Sequence, residues 1–216
     1  ICPAYTEISA VGEIIKNSGV KLGAQNCFWE ETGAFTGEVP PQTLKDYGVE
    51  YVIVGHSERR AYLGETDAMI HEKIKALLSM SMVPNLCVGE RFNERQEGQK
   101  EVVLIRELHS ALQGLWMNKL DRLVVAYEPI WVIGSGQAVS ADEAEHTHQV
   151  IKQALFDILP HQAVDEQVKI VYGGSVDPTN AGPFLSQPTV DGVLVGTASW
   201  DATQFSTLIA AAARLT

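Results

Sequence analysis

Short apolar runs alternate with amphipathic stretches along the whole chain. Six runs are rich in Val, Ile or Leu and are bounded by turn residues, a pattern typical of strands buried on both faces of a parallel sheet. These predicted strands cover residues 20–27, 51–55, 83–89, 123–127, 168–172 and 190–195. Helical periodicity predicts helices over residues 6–17, 42–47, 67–82, 93–116, 141–159, 178–185 and 202–215.

This alternation predicts consecutive strand–helix units in a right-handed parallel sheet. The sheet is either open or closed into a barrel. Polar residues or glycines stand where each apolar run stops, and a barrel collects all of those ends on one face. We therefore predict an α/β protein with a TIM-type (βα)8 barrel, incomplete, in one domain covering residues 1–216. Ile1 and Cys2 resemble the end of a further strand, so the expected sheet has six full strands and a stub.

Composition narrows the classes of function. The chain has 216 residues, 45% of them hydrophobic, and a mean hydropathy near zero, as in ordinary globular proteins. Its formal net charge of −11 argues against nucleic acid or an anionic membrane as the main partner. No apolar run approaches the ~18 residues of a membrane helix. Three widely spaced cysteines and no visible signal peptide favour reduced thiols and a cytoplasmic location.

Glu128 is the first candidate for chemistry. It directly follows the apolar run at residues 123–127, so it is expected to be partly desolvated, and desolvation makes a carboxylate more basic. A general base and an ordinary loop acid paired with a nearby Arg are both compatible with this spacing.

His56 is the second candidate, since it ends the run at residues 51–55 and precedes a short helix that opens at Ser57. A helix N-terminus disfavours positive charge, which predicts a neutral imidazole able to donate to a carbonyl oxygen. A loop histidine with only local partners is the alternative. Taken together, a base and a neutral donor on nearby strand ends suggest proton abstraction next to a carbonyl.

Glycine-rich segments at residues 134–136, 173–175 and 196–197 follow the last three predicted strands. Their bare N–H groups suit a phosphate, although turn glycines explain each segment individually.

Two further features are not interpreted as functional sites. His146 and His148 lie two apart on a helix and point to different faces, which argues against a metal pair. The charged residues at 90–100 are interpreted as a solvated helix face.

Several stretches resemble the motifs of the triosephosphate isomerase family, in that family's order and over the whole chain. They are GAQNCFWEETGAFTGE, YVIVGHSERR, AYEPIWVIGSG, VYGGSV and DGVLVGTAS. The resemblance implies a (βα)8 barrel, usually a homodimer, that interconverts dihydroxyacetone phosphate and glyceraldehyde 3-phosphate without a metal or cofactor. The family pairs a Glu base with a neutral His electrophile, so that assignment comes from the resemblance.

Carried over by motif, the resemblance implies Glu128 as the base and His56 as the group that polarises the carbonyl, with Ser57 and Glu58 in support. The implied phosphate-binding residues are Gly134, Ser175, Gly196 and Thr197. The implied lid, with its stiff hinge at the Pro–Ile–Trp end, comprises Pro129, Ile130, Trp131, Val132, Ile133, Gly134, Ser135, Gly136 and Gln137. Such a lid closes to exclude water from a reactive enediolate.

Two departures from the family pattern affect the expectation. The phosphate turn is Gly196–Thr197 where the family has Gly–Gly, which is tolerable only if Thr197 has a negative φ. The family's first strand, with an Asn and a Lys that enter the site, is absent from these 216 residues. Losing one such donor costs ~10²–10³ in rate, and unpaired strand edges would remain. We therefore expect weakened catalysis and a homo-oligomer with a non-standard interface, or alternatively a silent phosphate-binding or self-associating barrel fragment.

Overall fold

Six parallel strands form one curled sheet in the computed structural model, which describes residues 1–118, 121–135 and 137–214. The strands lie side by side in chain order, from β1 at one edge to β6 at the other. They are β1 (Gly23–Ala24), β2 (Tyr51–Val54), β3 (Val83–Val88), β4 (Leu123–Tyr127), β5 (Val168–Tyr172) and β6 (Gly192–Val193). The expected incomplete barrel is confirmed.

The edge strands are shorter than predicted. β1 and β6 have two residues each, where the apolar runs suggested eight and six, because an edge strand has a ladder partner on one side only. Ile1 nevertheless runs beside β1 as the predicted stub. Its nitrogen donates to the carbonyl of Lys21 at 2.8 Å, and its carbonyl accepts from Gly23 at 2.8 Å.

Ten α-helices and three short 3-10 helices are found among the described residues. The α-helices are α1 (Ile8–Ile15), α2 (Pro41–Asp46), α3 (Ser57–Tyr62), α4 (Asp67–Ser79), α5 (Phe92–Gln96), α6 (Lys100–Leu112), α7 (Ala141–Ile158), α8 (His161–Gln167), α9 (Ala181–Leu185) and α10 (Ala202–Ala212). The 3-10 helices are Tyr5–Glu7, Ile130–Val132 and Thr197–Trp200. None of the described helices is long and apolar enough to cross a membrane.

Several helix predictions need correction. The stretch 93–116 divides into α5 and α6 because Gly98, at φ +68°, ends the first of them. α4 stops before residue 82 because Ser81 takes a φ of +56°. α1, α9 and α10 are shorter than predicted, and residue 215 of the last prediction lies outside the described residues. α8, which Pro160 precedes as its N-cap, was not predicted.

The core lies between the convex face of the sheet and the long helices. Ile74 of α4, Leu104 of α6 and Ile151 of α7 are fully buried there. Burial alternates along β2, where Val52 is fully buried and Ile53 only partly. This is the two-residue period of a strand.

Candidate active site

Gly55 shapes the end of β2. It adopts a φ of +74°, and an added Cβ would lie 2.9 Å from Ile70 Cδ1, so both conformation and space favour glycine. Its N–H donates to Glu65 Oε1 at 3.0 Å, and its carbonyl accepts from Arg60 Nε at 2.8 Å. The chain therefore turns sharply and presents His56 as the N-cap of α3.

His56 and Glu128 are brought together, as the sequence suggested for neighbouring strand ends. Glu128 Oε1 lies 2.9 Å from His56 Nε2, and Glu128 Oε2 accepts from the Ser57 N–H at 2.9 Å. Glu128 is only 2% exposed. Both carboxylate oxygens thus have a donor, which is what a buried carboxylate requires.

His56, predicted to be neutral from its place before α3, also has the Glu128 carboxylate as a close neighbour. Its Nδ1 accepts from the Glu58 N–H at 3.4 Å, which leaves the ring proton on Nε2, facing Glu128. Burial pulls the pKa of His56 down, but the hydrogen bond and charge of Glu128, helped by Glu58 and Glu65, raise it above its usual value. With Nδ1 as an acceptor and the proton on Nε2 the ring is a neutral imidazole, whereas the charge of Glu128 favours its protonated form.

Two glycines leave room for Glu128. A Cβ on Gly89 would lie 1.7 Å from the Glu128 carbonyl oxygen, and a Cβ on Gly173 would lie 3.2 Å from Glu128 Cγ. The Glu128 N–H donates to the Val88 carbonyl at 2.8 Å. Gly173 was singled out in the sequence as part of a phosphate turn, whereas its close contact here is with the candidate base.

The first part of the segment expected to form a lid is anchored to Glu90. Trp131 Nε1 donates to Glu90 Oε1 at 3.0 Å, and the Arg95 guanidinium lies 4.4 Å from the centre of the Trp131 ring. Glu90 is fully buried, so treating residues 90–100 as a solvated face was wrong for it. Burial raises the pKa of Glu90, partly offset by the hydrogen bonds from Trp131 and Tyr127.

The rest of the lid turns tightly. Ile130–Val132 form a 3-10 helix with Val132 fully buried. Gly134 has a φ of +71°, and the Ser135 N–H donates to the Val132 carbonyl at 3.1 Å. Gln137 donates from its N–H to Ser135 Oγ at 3.1 Å. Gly136, also assigned to the lid, lies outside the described residues.

The remaining phosphate candidates follow β5 and β6. Ser175 is half-buried, and its carbonyl accepts from Asn180 Nδ2 at 3.1 Å. Gly196 and Thr197 are exposed at the start of the last 3-10 helix. Among the described non-glycine residues only Ser81 has a positive φ, so the Thr197 Cβ is accommodated without backbone strain.

Other candidates lie away from the His56–Glu128 contact. Glu58 is exposed, with a carboxylate oxygen 3.7 Å from His56 Nδ1. His148 is buried with Nδ1 3.1 Å from the Thr189 carbonyl, while the exposed His146 lies 3.5 Å from Glu101. Across residues 1–118, 121–135 and 137–214 no group of three or more His, Cys, Asp or Glu residues could hold a metal.

A buried ionic cluster supports the site and was missed. Lys73 Nζ donates to Asn26 Oδ1 at 2.8 Å and lies 3.1 Å from Glu65 Oε2, which Arg59 also contacts. Burial works to raise the pKa of Glu65, but the charge of Lys73 and the Arg59 hydrogen bond outweigh it and lower the pKa. Lys73 could have been found, since it occupies a core position of the α4 period beside Ile74.

A buried carboxylate 2.9 Å from an imidazole at the C-terminal edge of a barrel-type sheet suits an enzyme that transfers protons next to a carbonyl. The protein-family model described as Triosephosphate isomerase matches residues 1–212. The chain belongs to the triosephosphate isomerase family.

Relatives and solved structures agree with this assignment. The triosephosphate isomerase of Dictyoglomus turgidum is 43% identical over 92% of this chain and 80% of that protein. The Aquifex aeolicus enzyme is 43% identical over 97% of the chain and 83% of its own length. The crystal structure of triosephosphate isomerase from Bartonella henselae superposes with a TM-score of 0.85 at 31% identity, covering 98% of this chain and 84% of that one. The chain is therefore an isomerase of the TIM-barrel type.

Proposed function

We propose that this chain interconverts dihydroxyacetone phosphate and D-glyceraldehyde 3-phosphate through an enediolate, with Glu128 as the base. The observation that carries the proposal is the buried Glu128 carboxylate, held 2.9 Å from His56 Nε2 at the C-terminal edge of the sheet. A base shielded from water and placed beside a hydrogen-bond donor suits proton transfer between adjacent carbons.

The two side chains divide the chemistry. Glu128 takes a proton from one substrate carbon and returns it to the neighbouring one. His56 donates from Nε2 to the substrate oxygen, where negative charge develops. The Ser57 N–H, which donates to Glu128 in this structure, keeps the carboxylate in place before substrate arrives. Substrate entry must then replace the contact between Glu128 and His56 Nε2.

The phosphate and the lid complete the proposal. Ser175 follows β5 and Gly196 and Thr197 follow β6, where their N–H groups can meet an anion, and Gly134 adds an N–H from the lid. The lid would close over the enediolate and exclude water, which limits loss of phosphate from that intermediate.

Turnover of either triose phosphate in a coupled assay tests the reaction. Because the family's Asn and Lys are absent from the 216 residues, we expect a rate ~10²–10³ below that of a triosephosphate isomerase that contains them. A purified, folded chain with no turnover above solvent would refute the reaction and leave a silent phosphate-binding fragment.

Binding of 2-phosphoglycolate, measured by calorimetry, tests the anion site separately. Ser175→Asp places a negative charge there and should abolish binding, whereas Ser206→Asp on the exposed face of α10 should preserve it. Equal affinity of parent and Ser175→Asp would remove Ser175 from the site.

We also propose that the chain self-associates through the open edges of its sheet, as a non-standard homo-oligomer. β1 and β6 are edge strands, and exposed apolar side chains accompany the elements next to them. Ile14 of α1 is 81% exposed and Trp200, after β6, is 84% exposed. Unpaired strand edges with nearby apolar surface favour association. Sedimentation at micromolar concentration should show a dimer or larger species, and a stable monomer would contradict this.

We place the protein in the cytoplasm as a single barrel domain. The free thiols of Cys2, Cys27 and Cys87 suit a reducing compartment, and the buried hydrophobic residues form one cluster along the sheet. Fractionation of the source cells and limited proteolysis, which should yield no stable fragment, test these two statements.

A further inference from the structure

β3 extends beyond the point where β2 turns away. On the β4 side, the Val88 carbonyl accepts from the Glu128 N–H at 2.8 Å. Because backbone groups alternate along a strand, the Cys87 carbonyl and the Gly89 N–H point to the opposite side. β2 has left that side, since Gly55 begins the turn into α3. Buried backbone groups need other partners there.

Two charged side chains supply those partners. Glu107 Oε2 of α6 accepts from the Gly89 N–H at 3.0 Å. Arg60 of α3 donates from Nη2 to the Cys87 carbonyl at 3.4 Å and from Nε to the Gly55 carbonyl at 2.8 Å. Glu107 Oε1 faces Arg60 Nη1 at 3.8 Å. One ion pair thus fixes the ends of β2 and β3 together.

Both strand ends touch the proposed catalytic pair. Gly55 directly precedes His56, and Gly89 lies so close to the Glu128 backbone that a Cβ there would be 1.7 Å from the Glu128 carbonyl oxygen. We propose that Glu107 is a positioning residue whose charge, opposite Arg60, sets the placement of Glu128 against His56. The proposal rests on the proposed function for its meaning in catalysis.

Glu107 is placed where its charge can respond to pH. It borders a cavity of about 330 Å³ that opens to solvent, so protons can reach it. The charged residues lining that cavity with it include Arg60, Asp67, Arg91, Glu94 and Arg106. Burial raises the pKa of Glu107 to about 7, with Asp67 adding to the rise and Arg60, the Gly89 N–H and Arg106 opposing it. A pKa of about 7 would place the loss of the charge facing Arg60 within the neutral range, which the titration below tests.

The test uses the full chain and three variants. Glu107→Leu removes the acceptor and the charge, Glu107→Gln keeps an acceptor and removes the charge, and Glu101→Leu is a control on the exposed face of α6. The readouts are the NMR titrations of the His56 ring and the Gly89 amide, together with kcat and KM. The NMR readouts need no turnover, so they remain informative if the proposed reaction fails.

In Glu107→Leu we expect the His56 midpoint to fall towards its ordinary value, because Glu128 is less well held against Nε2. The value of kcat should fall about 10- to 100-fold with KM little changed, as for a base displaced by a fraction of an ångström. In Glu107→Gln the Gly89 amide should lose its titration near neutral pH, and kcat should lose the matching inflection. Glu101→Leu should behave as the parent does.

A folded Glu107→Leu variant with the parent's His56 midpoint would overturn the proposal. If that variant does not fold, Glu107→Gln decides, since it preserves shape and hydrogen bonding. Retention of the parent's Gly89 titration in Glu107→Gln would show that another group responds to pH, and the proposal would again be wrong. Absence of turnover in the parent would count against the proposed function alone.

Discussion

Replacing Glu128 with Asp tests the central assignment, because it keeps the charge and changes only its position. Removing one methylene withdraws the carboxylate by about 1.5 Å. The two contacts of 2.9 Å, to His56 Nε2 and to the Ser57 N–H, would then open to about 4 Å, beyond hydrogen-bond range. The same retreat separates the base from the substrate carbon.

A misplacement of about 1 Å can cost about 10²-fold in rate, so kcat of Glu128→Asp should fall by at least about that factor, or about 2.7 kcal/mol in the barrier. The coupled assay measures kcat and KM, and thermal unfolding confirms that the fold persists. Glu72→Asp on the exposed side of α4 is the matched control and should change neither. Equal turnover in Glu128→Asp and the parent would remove Glu128 from the role of base.

Three further changes probe the surroundings of the pair. Gly173→Ala places a Cβ 3.2 Å from Glu128 Cγ and should reduce kcat about tenfold, whereas Gly182→Ala, where the Cβ meets open space, should not. Trp131→Phe removes the hydrogen bond from the Trp131 ring nitrogen to Glu90. It should lower kcat/KM about fivefold, which corresponds to about 1 kcal/mol. Trp116, which is 83% exposed, provides the control, since Trp116→Phe should leave kcat/KM unchanged. His56→Gln should change how stability depends on pH. Since the pKa of folded His56 is raised, its protonated form stabilises the fold fully below about pH 6.5, and that contribution is lost as pH rises through the folded pKa. Urea unfolding should therefore show the stability advantage of the parent over His56→Gln shrinking from acidic to alkaline pH, and a constant difference would contradict the raised pKa.

The positions of His56 and Glu128 could be predicted because they depend on local pattern. Each follows an apolar run, and the carboxyl ends of parallel strands reach the same edge whatever the details of packing. The same reasoning placed Ser175, Gly196 and Thr197 after β5 and β6. The roles of all these residues came from the family resemblance, since a position at the end of a strand does not by itself identify what a side chain does in a reaction.

The supporting residues could not be predicted because their partners are distant in the sequence. Glu107 contacts the Gly89 N–H, and Glu90 contacts the Trp131 ring nitrogen 41 residues away. Glu90 begins the charged stretch 90–100, which was interpreted as a solvated helix face, and Glu107 follows another charged residue, Arg106, in α6. The prediction of a neutral His56 took account of the helix N-terminus, which is local, and not of the opposing charge of Glu128, which arrives from another strand.

The location of the pair within the sheet bears on whether it can function in this chain. His56 and Glu128 follow β2 and β4, and both stand beside β3, whose ladders on either side extend over four residue pairs. The β5–β6 ladder has two pairs, and Gly196 and Thr197 lie beyond it at an edge. Because a strand paired on both sides is held more firmly than an edge strand, the contact between base and donor is better fixed than the anion site. Besides the lower rate expected from the absent Asn and Lys, we therefore expect the substrate phosphate to be held less firmly than the reacting carbons, which would be measured as a raised KM.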